Sequence, residues 1–80
     1  TAERRKELVK IISKISEKFK ISVRGLRRKY IDEIKSLEKE KSISIDESKK
    51  SQDDIQKITD KSINEIEKLS DAKESEILKV

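Results

Sequence analysis

Between Glu3 and Lys41 the apolar positions are Leu8, Ile12, Ile15, Phe19, Val23, Leu26, Tyr30, Ile34 and Leu37, separated by steps of three and four. At about 100° per residue they share an arc of roughly 100°, the width of one core-facing stripe. No alternation of period two persists, so the stretch predicts one long amphipathic helix over residues 2–41. Thr1 stands where an N-cap belongs, and Glu3 places a negative charge in the first turn, where it suits the helix dipole. The pattern breaks between Glu40 and Glu47, and residues 42–44 read as a short connection. Ser44-x-x-Glu47 has the spacing of a capping box. Ser51-x-x-Asp54 offers a later start of the same kind, and Ser44 is preferred. The second helix then covers residues 45–79, with a stripe of Ile55, Ile58, Ile63, Ile66, Leu69 and Ile77, and with Thr59, Ser62 and Lys73 near that face. This stripe is narrower and more diluted than the first.

At 1.5 Å per residue each helix is about 55 Å long, and a connection of a few residues makes the two antiparallel neighbours. The expected fold is therefore all-α: a long antiparallel hairpin forming one domain over residues 1–80. Acid-before-base pairs at i, i+3 decorate it: Glu7/Lys10, Glu17/Lys20, Asp32/Lys35, Glu38/Lys41, Asp54/Lys57 and Glu65/Lys68. One partner helix cannot cover both sides of such a stripe. A third helix, or a second copy pairing into a four-helix bundle, is expected to complete it. Gly25 lies mid-helix, where it costs on the order of 1 kcal/mol relative to Ala. Either the flanking helix absorbs that cost, or the bare backbone admits a close neighbour such as an RNA strand.

Composition narrows the chemistry. Charged residues make up 48% of the 80, with one Gly and no Pro, Cys, His, Met or Trp. Without Cys or His there is no zinc finger, disulfide framework or Cys/His nucleophile pair, and a reducing compartment fits. With almost no turn-forming residues a sandwich of short strands is excluded. The longest apolar run is two residues, too short for a membrane span or signal peptide. Asp53-Asp54 and Asp46-Glu47 sit near a helix start, where interaction with the dipole outweighs acid/base work that would need a pocket. No catalytic residue, metal or cofactor is expected, and the chain is not read as an enzyme. Starting at Thr1 without Met, it reads as part of something larger.

The formal charge of +4 is unevenly placed. Residues 1–40 hold 13 Lys/Arg against 7 Asp/Glu, a net +6, and residues 41–80 hold 8 against 10, a net −2. On the helical wheel Lys6, Lys10, Lys20, Arg24, Arg27, Arg28 and Lys35 lie away from the apolar stripe. A basic ridge on a stiff rod suits the phosphates of a nucleic acid, and Arg suits bidentate phosphate contact. The competing reading is an ordinary solvated face. A membrane surface would need a free apolar face beside the basic one, and here the bundle claims that face.

The opening TAERRKELVK, the cluster VRGLRRKY, and SQDDIQKITD followed by a long charged helix resemble bacterial ribosome recycling factor along the whole chain. The resemblance implies a three-helix bundle joined to a β-rich domain, of which this chain would supply the two C-terminal helices, the N-terminal helix and the β domain being absent. It implies a cytoplasmic bacterial protein that binds the ribosome between its subunits and, with elongation factor G, splits them after termination. The helix at residues 2–41 would lie on large-subunit ribosomal RNA. The family's arginine cluster falls on Arg24, Arg27 and Arg28, with Arg27 expected to matter most; Lys20 and Lys35 join them from the wheel. Without the other parts, the piece alone is expected to be inactive and to pair as a homodimer through its apolar stripe. The alternative is a structural hairpin or coiled-coil spacer that binds another protein helix and has no RNA role.

Overall fold

A computed structural model describes residues 1–79. Two helices account for nearly all of them: α1, Ala2–Lys39, and α2, Ile45–Leu78. The first ends two residues short of the expected boundary at residue 41 and the second one short of 79. The Cα envelope measures 60 × 15 × 8 Å, with a radius of gyration of 18.1 Å. A compact chain of this length would have about 12 Å. The molecule is a rod.

Local chemistry sets the ends. Thr1 Oγ1 accepts from the Arg4 amide at 3.3 Å. At the start of α2 the capping box is complete: the Glu47 amide donates to Ser44 Oγ at 3.0 Å, and the Ser44 amide donates to Glu47 Oε1 at 3.2 Å. Ser44 is thus the start, and Ser51 lies inside the helix. At the end of α1 the Ser42 amide donates to the Leu37 carbonyl at 2.9 Å and the Lys41 amide to the Glu38 carbonyl at 3.0 Å. This is a Schellman closure, and it requires Lys41 at φ 61°, a left-handed position that usually takes Gly. Lys41→Gly is therefore expected to stabilise the hairpin by about 1 kcal/mol, read as a higher thermal midpoint.

The helices run antiparallel, as the cross-links show: Ser13 Oγ donates to Glu74 Oε1 at 2.9 Å, Lys20 Nζ to Glu67 Oε1 at 2.9 Å, and Arg27 Nε to Gln56 Oε1 at 2.6 Å. Along α1 the covered positions include Val9, Ile12, Ser16, Lys20, Val23, Arg27, Ile31, Ile34 and Glu38; along α2 they include Ser48, Gln52, Ile55, Gln56, Thr59, Ser62, Ile63, Ile66, Ser70, Glu74 and Ile77. The seam therefore follows one edge of the α1 stripe and is rich in small and polar residues. Only Ser16, Ser48 and Thr59 are buried among the described residues, and no apolar side chain is. Small side chains let the helices approach closely, and Thr59 settles its hydroxyl by donating to the Ile55 carbonyl at 2.7 Å.

The larger apolar residues look sideways. Phe19 is 59% exposed and Leu69 72%, with Ile15, Leu26, Tyr30, Leu37 and Ile58 also open. One groove is lined by Ile12, Ile15, Phe19, Ile66 and Leu69, with Ser16, Ser70 and Lys73 beside them. Val23, Leu26, Tyr30, Ile55 and Ile58 line a second stretch. A row of this size is not ordinary surface. Gly25 has nothing within 4 Å of where a Cβ would stand, so no part of the hairpin itself explains the missing side chain.

The surface pairing differs from expectation. None of the six anticipated i, i+3 pairs forms within 4.0 Å; the ion pairs among the described residues are Arg4–Glu7, Lys20–Glu67, Arg24–Glu17 and Lys73–Glu76. Exposed pairs gain only tenths of a kcal/mol, so sequence spacing does not fix which of them close, and Lys20 pairs across the seam with Glu67.

Candidate nucleic-acid interface

The face opposite the apolar groove carries the basic site. Arg24 and, one turn further along α1, Arg27 and Arg28 line an open crevice with Gln56, Thr59, Asp60, Ile63 and Asn64 of α2. The three arginines differ in freedom. Arg27 is half-buried, and its Nε is committed to Gln56 at 2.6 Å. Arg24 is exposed and lies 3.9 Å from Glu17, a contact worth little in solvent. Arg28 is exposed and forms no ion pair among the described residues. A guanidinium presents several N–H donors in a planar fork that matches two phosphate oxygens, so the crevice edge can grip a phosphodiester backbone.

The two lysines of the expected ridge stand apart from this cluster. The Lys20 side chain is only 15% exposed and is held by Glu67 at 2.9 Å, so its charge is taken up within the hairpin. It borders the seam and does not project from the far side. Lys35 is exposed on the basic side, about 10 Å further along the axis from Arg28. Arg27 also borders the seam. Both placements follow from where α2 sits: the wheel gave directions relative to the apolar stripe, whereas the seam lies off the centre of that stripe.

Gln56, Asp60 and Asn64 were not found from the sequence. Their spacing of four shows that they share one side of α2, but no periodicity in α2 says that this side faces the arginines. Among the described residues no group of three or more His, Cys, Asp or Glu is placed to hold a metal ion, and no helix is long and apolar enough to cross a membrane.

A two-helix rod with a basic crevice on one side and an unfilled apolar groove on the other defines a helical-bundle component with a charged outer face. The family model described as ribosome recycling factor matches residues 1–78, and the chain belongs to that family. It is 50% identical over 80 residues to the ribosome-recycling factor of Symbiobacterium thermophilum, covering all of this chain and 43% of that protein. Identity to the ribosome-recycling factor of Natranaerobius thermophilus is 57% over 77 residues, 96% of this chain and 42% of that protein. The factor from Synechocystis sp. is 48% identical over 80 residues, 44% of its length. The chain thus spans less than half the length of these relatives.

Proposed function

We propose that this chain is the RNA-facing part of a ribosome recycling factor's helical bundle. In this reading α1 lies on large-subunit ribosomal RNA between the subunits, and the rod transmits the push of elongation factor G that parts them. The observation that carries it is the two-sidedness of the hairpin. Closing the apolar groove leaves Arg24 and Arg28 exposed on the opposite face, with Arg27 beside them at the edge of the seam, so bundle assembly and RNA contact do not compete. The groove is covered by a third helix in the complete bundle and, for this chain by itself, by a second copy in a four-helix homodimer. In this reading the hairpin alone carries no recycling activity, because its apolar groove lacks the helix that completes the bundle. The site of action is the bacterial cytoplasm, and no catalytic group, metal or cofactor is involved.

The test compares binding to isolated large ribosomal subunits at two salt concentrations. Neutralised phosphates release counterions, so affinity falls steeply with salt. Arg27→Ala is expected to weaken binding about tenfold and to lower the salt slope by about one, whereas Lys57→Ala on the exposed side of α2 changes neither. Equal effects of the two substitutions would remove the crevice from the RNA contact.

The open groove also favours a second reading, a spacer that binds only a protein helix. Under it the arginines contribute nothing to any binding.

A further inference from the structure

The cross-links between the helices follow a register that breaks at one place. Ser13 meets Glu74, and Lys20, seven residues on, meets Glu67, seven residues back. One more step of seven brings Arg27 opposite Asp60. An arginine and a carboxylate so placed ordinarily close a bidentate pair. Here they do not: no Arg27–Asp60 ion pair forms within 4.0 Å. Gln56 stands between them. Its Oε1 accepts from Arg27 Nε at 2.6 Å, and its Nε2 donates to Asp60 Oδ1 at 2.9 Å.

The residue type matters. A guanidinium is donor-only and an ionised carboxylate acceptor-only, so the group joining them must offer an acceptor on one side and a donor on the other. A primary amide does so without charge. The same requirement fixes which amide atom is oxygen, because the reversed amide would set donor against donor and acceptor against acceptor.

We propose that Gln56 is a positioning residue that holds Arg27 for a phosphodiester and keeps Asp60 from taking its charge. This rests on the RNA-facing reading above. With Nε tied back to Gln56, the N–H groups on the two Nη atoms are left to grip a pair of phosphate oxygens. With one Asp60 oxygen engaged by the amide, the carboxylate is drawn away from the guanidinium. Remove Gln56, and Asp60 closes on Arg27 and competes with the RNA.

The competition gives a test that a merely structural role would not pass. Binding of isolated large ribosomal subunits is measured at two salt concentrations for Gln56→Met, Asp60→Asn, their combination, and Arg27→Ala, with helicity followed by circular dichroism. Gln56→Met is expected to weaken binding about tenfold, and adding Asp60→Asn to bring it back to within about threefold of the unsubstituted protein. In an Arg27→Ala background Gln56→Met should have no further effect, since its influence passes through that side chain. Gln56→Asn, which keeps the amide but shortens its reach, gives the same order should Gln56→Met lose helicity. If Arg27→Ala leaves both affinity and salt slope unchanged, the RNA reading itself fails. If Arg27→Ala weakens binding while Gln56→Met does not, or if Asp60→Asn restores nothing, the positioning role alone is overturned.

Discussion

Reversing Arg24, Arg27 and Arg28 together to Glu is expected to lower affinity for large ribosomal subunits by at least about 100-fold, since like charges brought together at an interface cost several kcal/mol. Three lost phosphate contacts should also flatten the dependence of log affinity on log salt by about two to three units. The hairpin itself should survive. Arg24 and Arg28 are exposed, and the Arg24–Glu17 contact they would sacrifice is 3.9 Å long and open to solvent. Position 27 bears the larger structural cost, because a carboxylate there faces Gln56 Oε1 and approaches Asp60. Across a half-exposed seam that amounts to about 1 kcal/mol. A triple variant that stays helical and binds subunits as tightly as before would leave the protein-spacer reading standing and end the RNA one.

Phe19→Asp with Leu69→Asp is expected to abolish self-association, raising the dissociation constant by about a thousandfold or more. The two side chains line the same stretch of groove, one from each helix, and are 59% and 72% exposed in the single hairpin. Covering a large apolar side chain contributes about 1.5–3 kcal/mol, and a twofold dimer covers every such side chain twice. Charges there would have to be stripped of water as well. Because those positions face solvent when the hairpin stands alone, the same substitutions should leave the isolated rod's own helix contacts intact. Sedimentation velocity across micromolar concentrations distinguishes the outcomes. A doubly substituted chain that still pairs would place the dimer contact elsewhere.

Much of the rod was legible in the sequence for a definite reason. A 3.6-residue period reports an apolar arc directly, and the Ser44–Glu47 box marks the start of α2 through groups only three residues apart. The end of α1 was harder: Lys39 to Ser42 keeps no periodicity, and nothing in Lys41 announces a left-handed residue where Gly is usual. The seam was harder still. A wheel drawn on one helix shows which side is apolar but not which edge the partner takes. Ser16 and Thr59, both small and buried, lie where the helices meet, off the stripe's centre. That shift put Lys20 and Arg27 beside α2 and not on the far side. The arginine cluster was recognisable in the sequence, whereas Gln56 and Asp60 become part of the site only through the antiparallel register.

Arg27 and Thr59 border both the apolar groove and the arginine crevice. A long amphipathic side chain can border an apolar groove with its stem and a polar crevice with its head, and Arg27 lines both. Whatever covers the groove therefore touches the same side chain that would meet an anion across the rod. Any freedom Arg27 loses when the groove is filled need not be lost again when the anion arrives. To the extent that filling the groove strengthens the hold of Arg27 on an anion, reciprocity requires the anion to tighten the occupant of the groove by the same factor.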